Sequence, residues 1–164
     1  MTRADDAYAE IYRGYAPAVF RRARRLMGSD ADAQDVTHDV FLSLFERPAQ
    51  YAGRSSLATF LYSATTHACL ARIRKAKNRQ RLLETHALDA ATAGGGPQPS
   101  ELLELHDVLR RMPDKLARVV VYACVDQLSH AEIGALVGCS RRNVANLLEK
   151  ASEWGVPKVE LSCC

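Results

Sequence analysis

The chain contains no apolar run approaching the roughly 20 residues needed to cross a bilayer. Its first ten residues, Met1 to Glu10, carry Asp5 and Asp6 and have no apolar centre, so no secretory signal is visible. No membrane insertion is expected, and the expected location is the cytoplasm. Cysteine is sparse, five in 164 residues, and in a reducing compartment such a set does not build a disulfide framework. Strand-like alternation and internal repeats are absent. So are a Walker-type phosphate loop, a nucleophile–base signature and metal-ligand spacing on one helix. His67, His86, His106 and His130 are scattered singly and read as surface or helix-cap residues. An enzyme is not expected.

What remains is the profile of a globular protein, 48% apolar and 25% charged. A formal charge of +3 is modest, but its distribution is uneven. Arg21, Arg22, Arg24 and Arg25 form one basic cluster. Arg72, Arg74, Lys75, Lys77, Arg79 and Arg81 form another, with no acid until Glu84. Such clusters are usually solvated helix faces, yet two in one short chain raise the expectation of a polyanionic partner. Cys69, Cys124 and Cys139 lie within apolar helical pattern and read as small core residues.

Residues 85–99 (THALDAATAGGGPQP) cannot bury enough apolar surface to order themselves, and they read as a flexible linker. A binding loop or an insert within one domain is the alternative. The expected fold class is all-α: two small helical domains, residues 1–84 and 100–155, and a tail, 156–164. Tyr8, Ile11, Tyr12, Tyr15, Val19 and Ala23 share one face of a first helix that runs to Met27 and ends at Gly28. Ser29 or Asp30 caps a second, whose buried stripe is Ala33, Val36, Val40, Phe41, Leu44 and Phe45, and which Pro48 stops. A third begins near Ser55 or Ser56 and buries Leu57, Phe60, Leu61, Ala64, Ala68 and Ile73. The second domain should hold helices over 100–111, 114–126, 129–137 and 140–153.

Residues 128–154 carry the strongest local signal. Ser129 and Glu132 have capping-box spacing. Ala131 is small where a second helix must cross closely. Ile133, Leu136 and Val137 face inward, and Gly138 supplies a positive-φ turn. Ser140 caps the next helix, which Val144, Leu147 and Leu148 pack against the first. Ser140, Arg141, Arg142, Asn143, Asn146 and Lys150 then face outward. This is a helix-turn-helix, whose second helix enters the major groove: arginine can fork onto guanine and asparagine onto adenine, while lysine and serine hold phosphates. A plain helical hairpin with a charged outer face is the bland alternative.

The string DADAQDVTHDVFLSLFERPAQYAGRSSLATFLYSATTHACLARIRKAKNR resembles region two of the extracytoplasmic-function sigma factors of bacterial RNA polymerase. The shared features are an acidic helix ending in Val-Phe-Leu (Asp35 to Leu42), the Gly53 to Tyr62 turn and the basic helix beyond it. The C-terminal lobe, entered through Met112-Pro113, resembles region four, and together these resemblances span nearly all of residues 8–155. They imply an alternative sigma factor that binds core RNA polymerase and directs promoter recognition, with promoter DNA and an anti-sigma protein as further partners. They place Asp35, His38, Asp39 and Leu42 on core polymerase. Arg54, Ser55, Ser56, Thr59, His67, Arg72, Arg74 and Lys75 fall on the minus-ten element, and the helix-turn-helix residues on the minus-thirty-five element. A base flipped out of the duplex at the minus-ten element must be repaid in contacts, and the basic run Arg72 to Arg81 holds phosphates. Without the resemblance, Asp35 and Asp39 would read as a solvated pair. His67 stands where asparagine is common, Ala71 where an acid is, Phe60 where tryptophan is. Ala145 and Leu147 replace residues that are usually basic, and Arg141 and Arg142 appear one turn earlier. The alternatives are a conventional operator-binding regulator, for which no dimerisation helix is visible, and a metal- or redox-sensing regulator.

The last alternative rests on Cys163 and Cys164. Adjacent cysteines do not easily bridge each other. Two thiolates can offer part of a soft-metal site for zinc, cadmium or copper, completed by a histidine or another cysteine; an inert terminus is the plain alternative. No other cofactor is expected. If the pair senses metal, one of these ions binds at near-equimolar ratio and changes promoter or core affinity, and replacing both cysteines by serine abolishes that change. Calorimetric titration of the reduced protein checks this.

Overall fold

The computed structural model describes the backbone of residues 3–85 and 100–156, and the side chains of 6–76 and 100–156. All but the first residue of the expected linker and all but the first residue of the tail, Cys163 and Cys164 included, lie outside the described residues. The chain divides into two compact units, Met1–Leu102 and Leu103–Cys164. Among the described residues every regular element is helical.

The first unit packs three helices: α1 (Arg3–Met27), α2 (Asp30–Glu46) and α3 (Leu57–Thr85). Ser29, not Asp30, caps α2, its hydroxyl accepting the Asp32 amide at 3.3 Å. Helix α2 ends before Pro48, which opens a single 3-10 turn, Pro48–Gln50. The Ser56 hydroxyl accepts the Thr59 amide at 3.1 Å at the head of α3. Val19, Ala23 and Leu26 of α1 meet Val36, Val40 and Phe41 of α2 and Leu61, Leu70 and Ile73 of α3 in the core. Aromatic contacts staple the other end of α1 to α2: Tyr8 on Phe45 at 4.6 Å and Tyr12 on Phe41 at 4.8 Å. Phe45 is only half-buried and Tyr12 is 43% exposed, so the expected stripes fray at this end.

Helix α3 departs further from expectation. Its buried face is Leu61, Thr65, Thr66, Cys69, Leu70 and Ile73, while Leu57, Phe60, Ala64 and Ala68 are only partly covered. The physical reason is that two threonines can enter the core. The Thr65 hydroxyl donates to the Leu61 carbonyl at 2.6 Å and the Thr66 hydroxyl to the Tyr62 carbonyl at 3.1 Å. With the hydroxyls satisfied along the helix itself, the methyl groups pack as apolar surface. The helix is rotated accordingly, and Phe60, Ala64 and Ala68 line a cleft of about 380 Å³ against α2.

The second unit contains α4 (Ser100–Arg111), α5 (Asp114–Val120), α6 (His130–Val137) and α7 (Arg141–Ser152). The expected helix over 114–126 changes character partway, because Val121–Val125 form a π-helical turn in which the Asp126 amide donates to the Val121 carbonyl at 3.2 Å. Five consecutive residues, Val119 to Ala123, are buried. The wider turn inserts a residue into the helical repeat and turns Tyr122 and Ala123 inward beside the valines. His106 is also buried rather than at the surface.

The helix-turn-helix closes on three local devices. The Ser129 hydroxyl accepts the Glu132 amide at 3.3 Å, and the Glu132 carboxylate accepts the Ser129 amide at 2.8 Å, completing the capping box. Those bonds from the Ser129 side chain and backbone hold the Glu132 carboxyl below its ordinary range. Gly138 caps α6 in the left-handed region, φ 70°. The Cys139 amide then returns to the Gly134 carbonyl at 3.0 Å. Ala131, expected at the close crossing, is exposed; the residue that must be small is Gly134, where an added Cβ would stand 2.6 Å from the Cys139 carbonyl oxygen. Gly134→Ala should therefore lower stability by about 1–3 kcal/mol, the range for overpacking, although alanine is the better helix former by about 1 kcal/mol. Ala131→Gln, at an exposed site, should stay within about 0.5 kcal/mol. Urea unfolding of the two variants beside the parent checks the order.

Candidate nucleic-acid interface

Helix α7 turns 100° per residue, and buried Val144 and Ala151 fix its inner side. Arg142, Asn146, Glu149 and Glu153 lie opposite; Asn143 and Lys150 flank that row on one side and Arg141 on the other. All seven are exposed. The Ser140 hydroxyl accepts the Asn143 amide at 3.2 Å, so this serine performs its capping role at the mouth of the face. Leu147 and Leu148 are half-buried along its edges. The structure thus brings together the six residues expected on DNA, and adds Glu149 and Glu153. Sequence reasoning passed over these because it sought donors; the helical period that placed Arg142 and Asn146 outward would have placed both glutamates there too.

In the first unit, Asp35, His38, Asp39 and Leu42 form one exposed strip on α2, at the spacing i, i+3, i+4, i+7. The strip is not electrostatically free. Arg72, reaching over from α3, places its guanidinium against Asp32 at 3.3 Å, against Asp35, and against Asp39 at 3.4 Å. An arginine expected on DNA phosphate and two acids expected on polymerase are therefore partners of one another. Asp35 and Asp39 are each 61% exposed, so water screens these pairs, and each contributes at most about 1 kcal/mol.

Arg54, Ser55, Ser56 and Thr59 are all exposed at the loop leading into α3. The loop is braced rather than loose. The Tyr51 hydroxyl donates to the Ser55 carbonyl at 2.8 Å, and its ring packs on Phe60 at 5.4 Å. The Gln50 amide donates to the Ser43 carbonyl at 2.7 Å. His67 is exposed where it lines the cleft between α2 and α3, with Phe60 and Ser63 on the same helix and Asp39 on α2. Arg74 and Lys75 follow about two turns on, half-buried and exposed respectively. The side chains of Lys77, Arg79 and Arg81 lie outside the described residues.

The other basic cluster is turned partly inward. The Arg22 guanidinium stacks 3.5 Å over the Tyr62 ring and donates to the Thr66 hydroxyl at 2.7 Å, and Arg24 pairs with Asp30. Of the cysteines, Cys69 is buried, while Cys124 and Cys139 are only half-buried, short of the core expected for them. Burial pushes the Cys69 thiol up to about 12, against the opposing pull of Arg22 and Arg72, so it stays protonated and unreactive at neutral pH. Among the described residues no group of three or more His, Cys, Asp or Glu side chains could hold a metal ion, and no helix is long and apolar enough to cross a membrane.

An all-helical chain with a capped helix-turn-helix and an exposed arginine–asparagine face is a DNA-binding protein in architecture. The comparisons with known proteins specify which kind. The family model for Sigma-70 region 2 matches residues 11–79, and that for Sigma-70 region 4 matches residues 102–154. The chain belongs to the sigma-70 family and is an alternative sigma factor of the extracytoplasmic-function type, directing promoter recognition with RNA polymerase. It is 25% identical to the extracytoplasmic-function sigma factor SigW of Bacillus subtilis, over 90% of this chain and 86% of the relative. It is 29% identical to the RNA polymerase sigma factor CarQ of Myxococcus xanthus, over 84% and 80%. SigE of Mycolicibacterium smegmatis is 25% identical, over 90% of this chain and 59% of that longer protein. The fold is shared with the sigma factor RpoE of Bartonella quintana, solved in complex with the anti-sigma factor NepR: TM-score 0.51 at 14% identity, covering 94% of this chain and 98% of that one. The reading as a conventional operator-binding regulator falls with this membership.

The Arg72 cluster has a measurable signature. A double-mutant cycle of Arg72→Ala with Asp32→Ala should give a coupling below about 1 kcal/mol that shrinks further as salt is raised. Unfolding midpoints of the four proteins at two ionic strengths check it.

Proposed function

We propose that this sigma factor divides its contacts along the lines of its two units. Asp35, His38, Asp39 and Leu42 dock on core polymerase. The braced loop Gly53 to Thr59, together with His67, engages the minus-ten element, with Arg74 and Lys75 on the adjoining phosphates. Ser140, Arg141, Arg142, Asn143, Asn146 and Lys150 engage the minus-thirty-five element. The observation that carries this reading is the exposure of two of these sets, each along one helix face, acid-rich on α2 and arginine–asparagine on α7. An acid-rich strip with an apolar end repels DNA and suits a basic protein partner, while forked and amide donors suit base edges.

The protein acts in the cytoplasm, contributes no catalysis of its own, and supplies specificity to the enzyme it joins. The solved relative held by an anti-sigma factor supports a partner of the same class here. The Cys163–Cys164 tail is proposed only as a partial soft-metal site, to be judged by the serine variant.

Run-off transcription with purified core polymerase tests the whole reading: promoter-dependent transcripts should require this protein. Asp39→Arg should lose core affinity while keeping its helicity, since at this exposed site losing the Arg72 pair and setting two arginines together costs on the order of 1 kcal/mol. Unchanged affinity in a fluorescence titration would remove Asp39 from the docking face. Arg142→Ala should relax preference at one promoter position by about 1–3 kcal/mol, whereas Lys150→Ala should weaken all promoters alike.

A further inference from the structure

We propose that Glu149 is a specificity-determining residue of α7 that selects a cytosine, about three base pairs from the position read by Arg142. The inference rests on the reading of α7 as the helix that enters the major groove. Arg142, Asn146 and Glu149 follow the spacing i, i+4, i+7 and stand in one row opposite the buried Val144 and Ala151. The row offers a forked donor, then an amide, then an acceptor. Major-groove edges match such groups in order: guanine presents two acceptors, adenine an acceptor and a donor, and cytosine an amine that needs an acceptor such as a carboxylate. Seven residues of α-helix rise about 10.5 Å, close to three base-pair steps of about 3.4 Å.

Among the described residues no cation accounts for an acid at this place. Among the described residues the Glu149 carboxylate forms no ion pair. Its neighbour one turn on is Glu153, a like charge, and its neighbour one turn back is Ala145. It stands in the last turns of α7, where the helix dipole disfavours negative charge. An exposed acid facing a polyanion also weakens binding at every sequence alike. Both costs are offset only where the carboxylate meets a donor in the groove, and among base edges that donor is an exposed amine. Glu153 differs: it lies beyond the last residue of α7, one turn farther than Glu149 from the N-terminal part with which recognition helices read. It therefore serves as the comparison.

The test uses the full chain with core polymerase and a promoter library randomised through the minus-thirty-five segment. The parent protein should prefer cytosine at one position, about three base pairs from the one that Arg142→Ala relaxes. Glu149→Gln should lower that preference about fivefold or more and move it toward adenine, because glutamine pairs with the adenine edge. Glu153→Ala should raise affinity for all members by a common factor. The proposal is overturned if Glu149→Gln does the same, with no position-specific change, while Arg142→Ala still relaxes one position. If neither substitution changes any position, the placement of α7 in the groove fails and the role of Glu149 fails with it. Circular dichroism of both variants should match the parent, since the substituted side chains are exposed.

Discussion

The functional geometry of the second unit depends on one close backbone approach. The Cys139 carbonyl lies where a Gly134 side chain would stand, and the Cys139 amide bonds back to the Gly134 carbonyl. That approach fixes where the chain leaves α6 and where Ser140 begins α7. Every residue of α7 inherits its direction from that start, because a helix has no further freedom once its first turn is set. The capping box at Ser129 and the left-handed Gly138 hold the two sides of the same turn. The outward row on α7 is thus a consequence of a missing Cβ ten or so residues earlier in the chain.

In the first unit the comparable constraint is electrostatic. One arginine from α3 spans three carboxylates on one face of α2. Beneath it, the buried threonines and Cys69 set the rotation of α3. That rotation moves Phe60, Ala64 and Ala68 out of the core and opens the cleft bordered by His67. Core packing and site shape are here a single event: the side chains that leave the interior become the walls of the cleft. The weakness of exposed ion pairs matters as much as their presence, since a screened cluster can exchange partners at little cost. Asp35 and Asp39 stay exposed enough to exchange Arg72 for another cation.

Much of this was legible in the sequence. Helical period, caps and breakers located α2, α4, α6 and α7 and the end of α1 to within a residue or two, because those signals are local and each has its own mechanism. The outward residues of α7 followed from the same period, whereas the α2 strip was singled out only by the family resemblance. Three features were not legible. A threonine's hydroxyl reads as polar until its bond to a carbonyl one turn back is known, so the α3 stripe was assigned to the alanines. A π turn leaves no signature in a run of valines, which suits α and β geometry alike. Ala131 and Gly134 are both small, and only the path of Cys139 tells which of them the turn requires.

The sequence by itself determined the helical class, the capped helix-turn-helix and the outward face of α7, since these depend on neighbours within a few positions. Tertiary structure alone decided that Arg72 is held by Asp32, Asp35 and Asp39, that Arg22 lies over Tyr62, and that Glu149 has no ion-pair partner among the described residues. The first two join residues some forty positions apart, and a side chain's partner at that distance is set by how helices rotate against each other. The third turns on which described side chains stand beside the carboxylate, and that is settled only by packing.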